Sequence, residues 1–263
     1  MQSTRILLVD NGSLEATTTL CLRQLSKDVS QIIGHEVRPV SVLHSHKVSP
    51  ELLNNQPAQI FSEAVQQAAQ EGIKKLIVLP LFMGPSLAIT EFIPAQFELH
   101  KKSDMKLVVA NTLYGSDGEL CTLLIENLKT TSWDKDQSTL LLCDHGTPII
   151  EVNQVRNMLA KEIRERLSLN PSQLIACSMQ RREGEQYAFN EPLLESALSQ
   201  VTNRAIILMQ FLLPGRHAGP GGDVAQICEK NIPEGITWEL SPLIGNNPNL
   251  PRLLARRFKE LKV

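Results

Sequence analysis

The stretch LLCDHGT, Leu141–Thr147, decides how this chain is read, because LLVDNGS at Leu7–Ser13 sets out the same pattern 134 residues earlier. Outward from it, LPLFMGPSLA at 79–88 lines up with LMQFLLPGRH at 208–217, an offset of 129. Leu113-Tyr-Gly115 lines up with Leu243-Ile-Gly245, an offset of 130. Three anchors in one order at nearly constant spacing mark an internal duplication, two copies of one unit.

Each copy alternates short apolar runs with helical periodicity. In the first copy strands are predicted at Arg5–Val9, Val37–Val42, Lys75–Leu81 and Lys106–Asn111, with helices near 15–33, 57–71, 91–102 and 117–128. In the second, strands are predicted near 139–143, 173–178, 204–211 and 237–241, with helices near 150–167, 191–200, 223–231 and 249–261. Continuous apolar runs bounded by Gly, Pro or polar residues suit strands buried on both faces, and strand–helix alternation implies a parallel sheet between helical layers. The expected fold class is α/β, two tandem flavodoxin- or Rossmann-like halves facing one another across a cleft. The polar stretch KTTSWDKDQS at 129–138 separates them, giving halves at 1–130 and 138–263.

Composition narrows the class of function. With Lys+Arg 26 against Asp+Glu 28 the formal charge is −2, which argues against a nucleic-acid binder that works through bulk basicity. The longest apolar runs, 76–85 and 205–214, are half of what a membrane-spanning helix needs, so no membrane partner is expected. The N-terminus shows no signal-peptide architecture. Five cysteines (Cys21, Cys121, Cys143, Cys177 and Cys228) form no CxxC pair, and they read as reduced, mostly buried thiols of a cytoplasmic protein.

In parallel sheets ligands bind beyond the carboxyl ends of the strands, and the matched motifs fall there. The copies differ where chemistry could sit: His145 stands where the first copy has Asn11, and His217 where it has Ala88. Imidazoles at two neighbouring strand ends can share one site, move protons near neutral pH and hold a borderline divalent metal. Around His217, LPGRHAGPGGD at 213–223 packs four glycines into eleven residues, a loop able to approach a ligand closely, with Asp223 expected as the N-cap of the next helix. GPGG is not followed by Lys-Ser/Thr and no GxGxxG occurs, so a nucleotide site is not indicated.

Arg181, Arg182 and Arg216 lie in loops at the expected cleft edge and suit carboxylate groups, whereas Arg252, Arg256 and Arg257 read as the solvated face of the last helix. After the second strand of its copy, QRREGE at 180–185 corresponds to the loop with His44 and His46; Glu183 or Glu185 could reach the site as acid/base or ligand.

The residues resemble those of the CbiX-type sirohydrochlorin chelatases, class II chelatases whose pattern is a strand ending in His-Gly-Ser/Thr and a later strand leading into Pro-Gly-Arg-His. Asp144-His145-Gly146-Thr147 and Pro214-Gly215-Arg216-His217 match it, while the first copy keeps Asn11-Gly12-Ser13 and Pro85-Ser86-Leu87-Ala88 without either histidine. The resemblance covers nearly the whole chain. It implies a chelatase-like fold and a lyase inserting Co2+ or Fe2+, with Ni2+ a further option, into sirohydrochlorin for cobalamin or siroheme. The metal is then substrate, and no organic cofactor is implied. By motif match His145 and His217 are the catalytic and metal-binding pair, joined by Glu183 or Glu185 as a third ligand, because the family's glutamate after the second strand is Gln180 here. Gly146, Thr147, Gly215, Arg216, Arg181 and Arg182 are the implied substrate-binding set. Fused halves favour a monomer, with a homodimer as the alternative. The competing function is a non-catalytic tetrapyrrole or metal carrier or sensor.

Overall fold

A computed structural model describes residues 4–219 and 221–261; Pro220 of the GPGG loop lies outside them. The chain divides into two compact units, Met1–Gly115 with Asn249–Val263, and Ser116–Pro248.

The first unit holds β1 (Thr4–Asp10), α1 (Ala16–Ile33), β2 (Val37–Ser41), α2 (Phe61–Gln70), β3 (Lys75–Pro80), α3 (Ile93–His100) and β4 (Lys106–Val109). Its sheet runs β2-β1-β3-β4, all parallel. The second unit holds α4 (Glu119–Leu128), β5 (Ser138–Asp144), α5 (Ile150–Leu167), β6 (Leu174–Ser178), α6 (Leu194–Leu198), β7 (Arg204–Met209), α7 (Asp223–Asn231) and β8 (Trp238–Leu240). Its sheet, β6-β5-β7-β8, repeats the first in order and direction. The duplicated parallel-sheet fold read from the sequence is the fold observed.

The pattern of burial explains the elements. Leu140–Cys143 of β5 and Ala205–Met209 of β7 are fully buried, as central parallel strands covered on both faces should be. In α5 the buried positions Val155, Arg156, Leu159, Ala160 and Ile163 recur at helical spacing, giving one inward stripe. Cys121, Cys143, Cys177 and Cys228 are buried free thiols and Cys21 is half-buried.

The compact units are drawn differently from the expected 1–130 and 138–263. α4 follows the first sequence copy but packs on α5 and β7, where Asn127 Nδ2 donates to the carbonyls of Pro242 and Leu243. The final helix, α8 (Leu250–Lys259), packs instead on α1 and β3 of the first unit. Arg257, expected on a solvated face, is buried there: its Nε and Nη2 donate to the carbonyls of Thr112 and Leu113, and its Nη1 pairs with Glu260 at 2.8 Å. A periodic pattern identifies a helix with an apolar stripe, but not the core that takes the stripe. No helix among the described residues is long and apolar enough to cross a membrane.

Candidate functional site

The second unit places its site at the carboxyl ends of β5, β6 and β7. β5 ends at Asp144 in register with Ser178, the last residue of β6. Beyond Asp144 the chain turns at Gly146 with φ 86°, a left-handed conformation in which a Cβ would stand 1.8 Å from the Gln180 carbonyl oxygen. Only glycine allows these two strand-end loops to touch.

Beneath the loop lies a buried polar network that sequence reasoning missed. Ser178 Oγ donates to Asp144 Oδ1 at 2.5 Å, and the Gly146 N–H donates to the same oxygen at 3.0 Å. Arg156, 2 % exposed, reaches up from α5 with Nη1 at 2.5 Å from Ser178 Oγ, 3.0 Å from the Asn190 carbonyl and 3.9 Å from Asp144 Oδ1. Asn190 clamps Thr147 through both its N–H (3.0 Å) and its carbonyl (2.9 Å). Burial raises the Asp144 pKa, and the Arg156 charge, Ser178 and Gly146 pull against it. The sole sequence signal for this base was an arginine in the middle of an apolar helical stripe.

Above the network, the imidazoles of His145 and His217 meet edge to face, ring centroids 4.7 Å apart and planes at 60°. Thus the two expected residues, 72 positions apart in sequence, stand side by side. His145 Nδ1 is 2.9 Å from the Gly146 carbonyl and its Nε2 is 3.1 Å from Gln180 Nε2. Crowding by protein lowers the His145 pKa; the Gly146 carbonyl opposes this and the neighbouring His217 reinforces it. His217 Nδ1 lies 2.6 Å from Asp223 Oδ2.

Asp223 is not the N-cap that was expected. Gly222 takes that place, Asp223 opens α7, and its carboxylate turns to His217. The first N–H groups of α7 hold the loop in turn, Asp223 N donating to the Arg216 carbonyl and Val224 N to that of His217, both at 3.2 Å.

The remaining expected residues divide. Arg216 is 78 % exposed, with Nε 3.7 Å from Asp223 Oδ2, and is free to meet an anion. Arg182 is exposed over the Tyr187 ring at 6.0 Å. Arg181 turns back into its own loop, donating to Glu191 at 2.7 Å and to the carbonyls of Gly184 and Arg182. The Gly146 and Thr147 N–H groups are spent on Asp144 and Asn190, and Gly215 exchanges backbone hydrogen bonds with Ala218, so these three shape the loops. Glu183 and Glu185 are exposed, and among the described residues no three His, Cys, Asp or Glu side chains gather as a metal site; neither glutamate joins the histidine pair.

In the first unit the corresponding loop keeps the shape but has neither histidine. Gly12, φ 87°, sits under the Leu43 carbonyl as Gly146 sits under that of Gln180. Asn11 and Ala88 replace the histidines, and Leu22, buried, lies where Arg156 lies in the second. His44 and His46 are exposed beside that loop, His44 with φ 70°.

The CbiX family model matches residues 139–261. No curated protein sequence is significantly similar to the chain. Among solved structures, SirB from Bacillus subtilis with Fe3+ superposes with TM-score 0.70 at 14% identity, covering 99% of this chain and 95% of that one. The sirohydrochlorin chelatase SirB of B. subtilis subspecies spizizenii in complex with cobalt gives 0.67 at 15% identity, again over 99% and 95%. CbiX, described as the terminal enzyme of siroheme biosynthesis in denitrifying bacteria, gives 0.61 at 15% over 97% and 98%. Residues 139–261 of this chain thus match the CbiX family model, and the whole chain shares its fold with SirB and CbiX.

Proposed function

We propose that the protein is a sirohydrochlorin metal chelatase, a lyase inserting a divalent metal, Co2+ or Fe2+, into the tetrapyrrole. The observation that carries this reading is the His145–His217 pair, rings 4.7 Å apart on the strand ends of the segment that matches the CbiX family model. The relatives' own Fe3+ and cobalt support choosing these two metals first.

Insertion exchanges two pyrrole protons for one metal ion. A neutral imidazole holds a borderline metal through its nitrogen lone pair, and two imidazoles in contact present the ion to one face of a flat macrocycle. As the metal passes to the ring nitrogens, each freed lone pair can take a proton. Asp223 favours this at His217, because its carboxylate stabilises the imidazolium that forms. Among the described residues no third His, Cys, Asp or Glu gathers with the pair, and a site of two imidazole nitrogens suits transfer of the ion. Arg216 and Arg182, both exposed, supply cationic partners for the peripheral carboxylates of the substrate.

The test is a visible-absorbance time course with excess sirohydrochlorin and Co2+, or Fe2+ under anaerobic conditions. Wild type should turn over many equivalents above the spontaneous rate, and the His145→Ala/His217→Ala protein should not. Saturation at one equivalent would identify a carrier, and no spectral response would overturn both readings.

A further inference from the structure

Gln180 follows β6 and stands where the family resemblance leads one to expect a glutamate. Its backbone is locked: its N–H donates to the His145 carbonyl at 3.3 Å, and its own carbonyl lies against Gly146 so closely that no Cβ fits between. Only its side chain is free to move, and that side chain ends on His145, with Nε2 to Nε2 at 3.1 Å.

The direction of this hydrogen bond follows from the other ring nitrogen. His145 Nδ1 faces the Gly146 carbonyl at 2.9 Å, and a carbonyl oxygen only accepts, so Nδ1 carries the proton. In the neutral ring Nε2 is then a bare lone pair, and the Gln180 amide must donate to it. Nε2, through that lone pair, is the atom with which His145 would hold a metal.

We propose that Gln180 is a positioning residue that caps the His145 Nε2 lone pair and is displaced whenever a divalent metal binds there. The inference rests on the reading of His145 as a metal ligand. A carboxylate at this position could not play the part, since it has no hydrogen to donate to a neutral imidazole and would instead bind the ion. The amide has the opposite effect. It competes with the incoming metal and closes again on the nitrogen as the metal leaves, so that the ion is held weakly and released readily. Among the described residues His217 shows no such cap, its Nδ1 being held by Asp223.

The test uses the full chain without tetrapyrrole, titrated with CoCl2 by calorimetry as wild type, Gln180→Leu and His145→Ala. Removing the cap should tighten cobalt binding about two- to tenfold, the range expected for one net neutral hydrogen bond. Removing the ligand should weaken it about tenfold or more. If Gln180→Leu binds cobalt no more tightly than wild type while His145→Ala weakens binding, the cap is refuted and the site stands. If His145→Ala leaves binding unchanged, the site reading itself fails. In turnover, Gln180→Leu should lower the KM for Co2+ and kcat together, whereas damage to the loop would raise KM. A measurement independent of any substitution in the cap is the nitrogen-15 spectrum of the histidines in the metal-free wild type, with the His145 signal assigned by its loss in His145→Ala. A ring protonated at Nδ1 and bare at Nε2 is expected, and a proton on Nε2 would overturn the proposal.

Discussion

His217 Nδ1 lies 2.6 Å from Asp223 Oδ2, and this contact joins the loop after β7 to the first residue of α7. The carboxylate holds the proton on Nδ1, so Nε2 keeps a bare lone pair, the form a metal-binding imidazole requires. Asp223→Ala should therefore lower chelation by about 10- to 100-fold, the usual cost of losing a partner behind a ligating histidine. Thermal unfolding should move little, because Asp223 is only partly buried. A variant with unchanged turnover would show that the contact is structural.

Arg156 and Asp144 form the base of the histidine loop. Arg156→Leu copies Leu22 of the first unit and strands a buried carboxylate, at a cost of about 3–5 kcal/mol. Adding Asp144→Asn should recover part of that loss, because the amide carries no charge to desolvate. Denaturant unfolding of the two single variants and the double variant checks this, and strict additivity would mean that the pair does not interact.

The first unit already shows what an unpaired carboxylate does. Asp10 ends β1 with no arginine beneath it, and burial pushes its pKa up to about 6, against opposing hydrogen bonds from Ser41 and Gly12. The folded protein thus holds this proton more tightly than the unfolded chain does. Stability should fall as pH rises from about 4 to about 6 and stay lowered above that. The gap of about two pH units corresponds to roughly 3 kcal/mol. Asp10→Asn should remove this part of the pH dependence, which urea unfolding at pH 5 and pH 7.5 would reveal; equal slopes in both proteins would refute it.

Gly146→Ala places a Cβ 1.8 Å from the Gln180 carbonyl oxygen at a φ of 86°. The two loops must part, at a cost of about 1–3 kcal/mol for the backbone alone, and His145 moves with them. Loss of chelation together with a lowered unfolding midpoint is expected. Full activity would mean that the loop contact does not position the ring.

Much of this protein is legible in its sequence. The LLVDNGS and LLCDHGT repeat, with continuous apolar runs and alternating helical stripes, dictated two parallel sheets, and β5, α5 and α7 fall within a residue of their predicted bounds. The histidine pair was legible because it breaks the repeat: a residue type that appears in one copy and not the other stands out against its own duplicate. Local sequence physics decides such features, since hydrophobic period and turn residues act within a few positions.

Tertiary structure decided the rest. That α8 packs on α1, burying Arg257, depends on which core is available to its apolar stripe. That Arg156 lies under Asp144, that Asp223 holds His217 instead of capping α7, and that Gln180 closes on His145 while Glu183 and Glu185 stay outside all depend on where separate strand ends meet. Each pairs groups whose spacing along the chain carries no period. A desolvated charge or lone pair takes the partner that the fold brings within about 3 Å, and only the folded chain sets that distance.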